Sequence, residues 1–190
     1  MPLIRYLAYY QVLEYYFPVY YERELIDRIK EELAYARVAE QSDVRVSRII
    51  KMARSEGKAY GAERDQLRAT VRGCISIAAL EEYLSEDSRR DFFTGKQPIN
   101  GVPRINFGEQ SGDLRDQLSE RLYRIRCRIV HAKSGNEDQA GEPILPFSPE
   151  ADALMPDIEL AQHLARRVLI SNATDLRFPL RLDSRSCPSQ

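Results

Sequence analysis

One stretch of the chain limits the folds open to it, because its aliphatic side chains recur with the period of a buried helix. The stretch ends in RLYRIRCRIVHAK, residues 121–133, which contains four arginines and a lysine but no acid. Steps of four, four, three and four separate five aliphatic residues, which are Leu114, Leu118, Leu122, Ile125 and Ile129. Since an α-helix has about 3.6 residues per turn, these side chains share one side of a helix. The spacing predicts a core helix that begins after Asp113, its N-cap, and ends near Lys133.

The polar residues of this helix are predicted to form a cationic surface on its outer side. On a helical wheel, Arg124, Cys127 and His131 lie opposite the aliphatic side, and Arg126 and Arg128 lie on the two flanks. Cleavage of RNA without a metal needs proton transfer near neutral pH, which histidine can perform. It also needs positive charge on the phosphate, which arginine supplies through its planar fork of donors. A histidine at a cationic helix end also complements the helix dipole, so a purely structural role is the alternative.

The rest of the sequence has the same helical periodicity and lacks strand-like alternation. Predicted helices cover residues 3–17, 20–40, 42–55, 62–85 and 150–171, with a short helical turn near 88–93. Pro18 is expected to end the first helix, and Pro156 to delay or kink the last one. We therefore predict an all-α bundle of four to six helices in one domain, residues 1–172, followed by a flexible tail, residues 173–190.

The first predicted helix is rich in tyrosine, and Tyr6, Tyr10, Leu13 and Phe17 recur on one face of it. That face is predicted to pack in the core, with a platform for stacking RNA bases as the alternative. Glu14 lies among these aromatic residues, where a carboxylate favours a cationic partner. The arginines of the central stretch are the candidates for that partner, and a simple solvent-facing glutamate is the other interpretation.

The net charge, the cysteine and histidine content and the length of the apolar runs limit the functions and cellular compartments that fit this chain. The formal net charge is −1, so a surface that binds nucleic acid must be local rather than spread over the molecule. Three separated cysteines without a CxxC argue against a disulfide framework and fit a reducing cytosol. Two histidines argue against a histidine-rich metal site, and no apolar run approaches the ~18–20 residues of a membrane span. We expect a cytoplasmic protein that uses no metal, no other cofactor and no membrane.

The segment RCRIVHAK, residues 126–133, resembles the signature of the HEPN superfamily. That signature is an arginine, then four to six residues, then a histidine that usually follows aliphatic residues. The opening segment YYQVLEYYFP is also similar to the first helix of ApeA-like HEPN proteins. The resemblance implies an all-α homodimer that cleaves RNA without a metal, in toxin–antitoxin, anti-phage or RNA-processing systems. It also implies an antitoxin or a sensor domain as a further partner.

Carried over to this chain, the resemblance makes Arg126 and His131 the catalytic pair. Arg124 also satisfies the spacing, because it precedes His131 by six residues. Supporting or RNA-binding roles are expected for a further set of side chains, which are Arg124, Arg128, Lys133, Cys127 and Glu14. Cys127 occupies the position after the arginine, where the family often has Asn or Asp. Since many HEPN domains are not catalytic, the alternative function is a module for RNA binding, nucleotide binding or dimerisation within a larger protein.

Overall fold

The structure, a computed structural model, describes residues 1–36, 42–56, 62–96, 98–108, 112–130 and 142–173. Within these ranges the chain forms eight helical segments and no strand, which confirms the all-α prediction. The segments are α1 (Pro2–Ala36), α2 (Ser42–Glu56), α3 (Glu63–Cys74), α4 (Ile77–Leu84), α5 (Asp87–Thr94), α6 (Leu114–Val130), α7 (Pro149–Asp152) and α8 (Met155–Ala173). They outnumber the four to six expected helices, because two of the predicted helices are each divided by a break and the short predicted turn forms α5, although the first two predicted helices join into α1.

The first helix continues through Pro18, so the prediction that it ends there is wrong. A proline inside a helix removes a backbone hydrogen bond and crowds the preceding turn, at a cost of about 3 kcal/mol. Burial of side chains on both sides of Pro18 offsets that cost, since the buried stripe of α1 extends across it. The stripe consists of Leu3, Tyr6, Tyr10, Leu13, Phe17, Tyr20 and Leu25, and Pro18 itself is exposed. Packing against α3 and α8 therefore decides the length of α1.

The predicted helix over residues 62–85 is interrupted at Ile75, whose backbone is extended (φ −140°, ψ 136°). Ser76 follows as the N-cap of α4, and its hydroxyl accepts a hydrogen bond from the Ala79 amide at 3.2 Å. Ile75 is 3% exposed, so the break turns the chain without removing this side chain from the core. A local capping preference of serine thus overrides a continuous helical pattern.

Close packing of α3 on α1 depends on Gly73. A Cβ atom at this position would lie 2.3 Å from Cδ1 and 2.7 Å from Cε1 of Tyr20. The Tyr20 ring is 2% exposed and is fixed at its hydroxyl by Ser171 and Asn172 of α8. The glycine therefore allows the ring to lie directly against the backbone of α3.

Helix α6 is a core helix, as its aliphatic period predicts. Leu118, Leu122 and Ile125 are fully buried, and the helix packs mainly against α3. The hydroxyl of Tyr6 donates a hydrogen bond to the Leu122 carbonyl at 2.8 Å, which joins α1 to α6 inside the core. Ile129, at the end of the aliphatic series, is half-buried.

Arg121, the first arginine of the central stretch, does not belong to a cationic surface, because its side chain is fully buried. Its Nε and Nη2 donate to the two carboxylate oxygens of Asp157 at 2.6 and 2.8 Å. Its Nη1 donates to the Pro103 carbonyl at 2.8 Å. This guanidinium therefore connects α6, α8 and the segment after α5 within the core.

The last predicted helix is divided into α7 and α8. Ser148 caps α7 through a hydrogen bond from the Ala151 amide at 3.2 Å. Pro156 is the second residue of α8, which agrees with the prediction that it delays the start of this helix. The chain from 174 onward, including most of the predicted tail, lies outside the described residues. None of the helices in the described ranges combines the length and the apolar character needed to cross a bilayer.

Candidate functional site

Arg126 extends from α6 toward α1 and α3, where two carboxylates contact its guanidinium. Its Nε lies 3.0 Å from Oε1 of Glu63, the first residue of α3. Its Nη2 lies 3.6 Å from Oε1 of Glu14 on α1. The side chains are 19% exposed for Arg126, 29% for Glu63 and 34% for Glu14, so solvent reaches all three. The guanidinium is thus held at a partly open junction of three helices.

Tyr10 completes this group from the protein interior. Its hydroxyl donates a hydrogen bond to Oε1 of Glu63 at 3.0 Å, the same oxygen that faces Nε of Arg126. Tyr10 is 1% exposed and lies one helical turn before Glu14. We refer to Tyr10, Glu14, Glu63 and Arg126 as the Arg126 cluster. The buried end of the cluster is the tyrosine, and its accessible end is Glu14.

The cluster holds one cation and two carboxylates. Burial acts to lower the pKa of Arg126, but its acidic neighbours, Glu63 first and Glu14 among them, outweigh burial and raise that pKa, so the guanidinium stays charged. Burial raises the pKa of Glu14, the charge of Arg126 opposes this rise, and the charge of Glu63 adds to it. Burial and the neighbouring Glu63 charge raise the pKa of Tyr10. Glu14 is therefore a carboxyl group that binds a proton more readily than a free glutamate does.

Of the two interpretations of Glu14, contact with a cation agrees with its position beside Arg126. Whether this contact serves a reaction stays a prediction. His131 and Lys133 lie outside the described residues, since the structure describes α6 as far as Val130. Their relation to Arg126 therefore remains the one predicted from sequence spacing.

Arg124, the alternative arginine of the motif, is 42% exposed and belongs to a separate ion-pair group. Its Nε lies 2.7 Å from Oε1 of Glu120, one turn earlier on α6. The other oxygen of Glu120 lies 2.5 Å from Nε of Arg64 on α3. These contacts connect α3 and α6 at the surface of the bundle. Arg124 is not in the Arg126 cluster.

Cys127 was expected on the outer side of the helix, and this placement is corrected, because the residue is 9% exposed. The packing of α6 against α3, α4 and α1 buries more of this helix than its aliphatic side. Burial and a hydrogen bond with Cys127 raise the pKa of the neighbouring Tyr123. The thiol is thus enclosed beside the Arg126 cluster rather than presented to solvent.

Arg128 was expected on a flank of the cationic surface, and this placement is also corrected. Its side chain is 2% exposed. Its Nε donates to the Glu142 carbonyl at 2.5 Å, its Nη1 donates to the Asn100 carbonyl, and its Nη2 lies 3.0 Å from Oε2 of Glu150. Arg128 therefore joins α6 to α7 and to two connecting segments. A structural role agrees with these contacts better than RNA binding does.

The contributions of Glu63 and Tyr10 were not predicted from the sequence. Glu63 is an acid in the first turn of a helix, where the helix dipole already favours a carboxylate. Its presence there did not indicate a functional role. Tyr10 and Glu14 are four residues apart on one helix, and this spacing was an available sign that they act together. Only the packing of α3 between α1 and α6 brings these residues to Arg126.

The described part of the chain has no group of three or more His, Cys, Asp or Glu side chains that could hold a metal ion. No family model, curated protein or solved structure has significant similarity to this chain.

Proposed function

We propose that the protein is a metal-independent endoribonuclease of the HEPN type, with Arg126 and His131 as its catalytic pair. The observation that carries the proposal is the position of Arg126. Its guanidinium is charged, partly accessible and oriented by Glu63 and Glu14 at a junction of three helices. His131 follows it by five residues at the end of the same motif.

The proposed reaction is an internal transesterification of RNA. The 2′-oxygen attacks the adjacent phosphorus, the bond from phosphorus to the 5′-oxygen breaks, and a 2′,3′-cyclic phosphate forms. Arg126 stabilises the negative charge that gathers on the phosphorane oxygens. His131, in its protonated form, donates a proton to the departing 5′-oxygen.

The proposed partners are RNA, a second copy of the chain, and a regulator such as an antitoxin or a sensor domain, acting in the cytoplasm. The dimer proposal is supported by exposed apolar side chains on α1. Ile4, Tyr15, Val19 and Ile26 are between 43% and 78% exposed. Their spacings of 11, 4 and 7 residues bring them to one face of the helix. Apolar side chains aligned on a long exposed helix face favour association.

In the decisive experiment, the wild-type protein and the His131→Ala and His163→Ala variants are each incubated with total RNA in the presence of EDTA, and cleavage of the RNA is measured. His163 is the matched control, because it is the other histidine of the chain and stacks on Tyr83 at 4.1 Å between ring centroids. We expect wild type and His163→Ala to produce fragments ending in 2′,3′-cyclic phosphate. His131→Ala should lose at least about 100-fold in rate, the usual contribution of general acid catalysis.

Circular dichroism and mass in solution accompany this comparison, so that loss of folding or of the dimer is distinguished from loss of chemistry. Intact RNA after incubation with folded wild type would refute the nuclease proposal. Equal losses in the two histidine variants would refute the assignment of His131.

The second candidate function is an RNA-binding or dimerisation module without catalysis. The contacts of Arg126 with two carboxylates favour it, because such contacts compete with phosphate for the guanidinium. A binding module would retain RNA with an affinity that falls steeply with salt, and it would leave the RNA uncut. A dimerisation module would instead lose its dimer on charge reversal at Arg124 or Arg126, with no effect on RNA binding.

A further inference from the structure

The proposed reaction transfers two protons, and the catalytic motif supplies one histidine for them. One proton leaves the 2′-hydroxyl, and another reaches the 5′-oxygen. The remaining histidine, His163, lies on α8, where its neighbours are Tyr83 and the charges of Arg89, Arg166 and Arg167. It therefore does not belong to the Arg126 cluster. A second proton-transfer group must come from elsewhere in the chain or from another chain.

Besides Arg126, the cluster contains three side chains that could accept or donate a proton, and these three differ in their contacts. Tyr10 is buried, and its hydroxyl donates to Glu63. Oε1 of Glu63 faces both that hydroxyl and Nε of Arg126, each at 3.0 Å. Glu14 is the most exposed of the cluster and has the longer contact with Arg126, 3.6 Å. Glu14 is thus the carboxylate that a substrate at Arg126 meets first.

We propose that Glu14 is the general base that removes the proton from the attacking 2′-hydroxyl, an inference that rests on the proposed nuclease function. In this step the O–H bond of the 2′-hydroxyl breaks, and its proton moves to a carboxylate oxygen of Glu14. The released electron pair forms the bond to phosphorus. The 5′-oxygen departs with the electrons of the bond that breaks, and it receives its proton from His131. The positive charge of Arg126 remains unchanged throughout.

Distances agree with this assignment. A phosphate oxygen hydrogen-bonded to Arg126 lies about 2.9 Å from the guanidinium nitrogen, and a 2′-oxygen ready to attack lies about 3–3.5 Å from phosphorus. Glu14 borders the same nitrogen, Nη2, at 3.6 Å. Glu14 is therefore within reach of the 2′-hydroxyl of a nucleotide whose phosphate binds Nη2.

The balance of charge favours Glu14 as a proton acceptor rather than a permanent ion-pair partner. Before reaction, two carboxylates and the substrate phosphate surround one guanidinium. As the 2′-oxygen attacks, the phosphorane gains a second negative charge, which needs stronger stabilisation by the positive charge of Arg126. Glu14 becomes neutral when it takes the proton, so Arg126 can transfer its interaction from Glu14 to the phosphorane. Glu63 continues to hold Nε during this exchange.

The pH dependence follows from the groups that face Glu14, which are Arg126 from α6 and Glu63 from α3. Burial and Glu63 raise its pKa, against the opposing charge of Arg126. The reaction needs Glu14 ionised and His131 protonated. The rate should therefore rise with pH as Glu14 loses its proton, and fall at higher pH as His131 loses its own.

The test is a kinetic comparison of Glu14→Gln, Glu14→Asp and Glu22→Gln on a short RNA in EDTA. Glu22 is the matched control, because it is an exposed glutamate on the same helix. We expect Glu14→Gln to lower kcat by about 100-fold or more with little change in KM, and to lose the acidic limb of the pH–rate profile. Glu14→Asp should restore part of kcat together with that limb. Glu22→Gln should match wild type.

Three outcomes would overturn the inference. Full activity of Glu14→Gln, alongside an inactive His131→Ala, refutes the role of Glu14 and leaves the nuclease proposal standing. A raised KM with unchanged kcat and an unchanged pH profile means that Glu14 serves only to position Arg126. Absence of cleavage by wild type refutes both proposals together.

Discussion

The ion pair between Arg121 and Asp157 is fully buried, and its energetics differ from those of surface pairs. Moving two charges out of water costs several kcal/mol each, which only good hydrogen-bond geometry can offset. Here both oxygens of Asp157 accept hydrogen bonds from Arg121, and Pro103 accepts a third. Nearby rings of Phe92 and Phe93 lie 5.5 and 5.1 Å from the guanidinium carbon. The pair is satisfied as a unit, so removal of one member leaves an uncompensated charge.

Asp157→Asn should therefore destabilise the protein strongly. We expect the free energy of unfolding to fall by about 3–5 kcal/mol, since the Arg121 charge would remain buried without its counter-ion. The control is Asp27→Asn, because Asp27 pairs with Lys30 at 3.3 Å on an exposed face of α1. That change should alter stability by no more than about 0.5 kcal/mol. Urea unfolding measures both, and similar effects of the two substitutions would contradict this account.

The sequence identified the arginines of α6 but not which of them are structural. A helical wheel gives the angular position of each side chain, and it predicted Arg126 and Arg128 on the two flanks of the outer side. It could not predict the burial of Arg121 and Arg128, because their partners Asp157 and Glu150 are far away in the sequence. A buried arginine needs an acidic partner that the tertiary fold brings close to it, and the helical periodicity of the sequence does not show where such a partner lies.

The contact between α1 and α3 depends on the absence of a side chain at Gly73. Gly73→Ala gains about 1 kcal/mol in helix propensity, but overpacking against Tyr20 costs about 1–3 kcal/mol. We expect the clash to exceed the gain, because the Tyr20 ring is buried and tied to α8. Thermal unfolding should give a lower Tm for Gly73→Ala. Gly108→Ala, where a Cβ meets open space, should not lower it.

A combined Tyr20→Leu and Gly73→Ala variant tests the cause of this effect. If the ring is responsible, the alanine should cost less in the Tyr20→Leu background than in wild type. An equal cost in both backgrounds would show that the clash with Tyr20 is not the reason.

At the scale of elements, helix content and the starts of α2 and α6 were predictable, whereas the end of α1 and the break between α3 and α4 were not. The tyrosine face of α1 was correctly predicted to be buried, yet the helix does not end at Pro18. In the sequence, Pro18 and Ser76 are both signals for a helix boundary, and neither signal is visibly stronger than the other. Packing overrides the preference at Pro18, while the cap at Ser76 divides α3 from α4. Which preference prevails depends on the neighbouring helices, which the local sequence does not specify.

The stability of the whole molecule should depend on pH through His163. Burial lowers the pKa of His163, and the charges of Arg167, Arg89 and Arg166 lower it further. Its Nε2 is buried without a hydrogen-bond partner among the described residues. Because the unfolded chain binds a proton at about pH 6.5 and the folded chain only at lower pH, acidification favours the unfolded state.

We therefore expect wild type to lose stability as pH falls from about 6.5 toward the lower folded-state pKa. His163→Gln should lose less over the same range, while the other titrating groups contribute equally to both proteins. The measurement is urea unfolding of the two proteins at several values of pH between 8 and 5, roughly spanning the titration of histidine. Parallel pH curves for the two proteins would contradict this role of His163.

The buried Arg121 guanidinium, which joins α6 to α8 and to Pro103, also affects how the bundle unfolds. Detachment of α8 would take Asp157 away from Arg121 and leave that guanidinium against the Phe93 ring without its counter-ion. Such a state loses the buried ion pair together with the packing of α8 on α1 and α3, so it has little to stabilise it. We therefore expect the helices joined by this contact to lose their order together, as one cooperative unit.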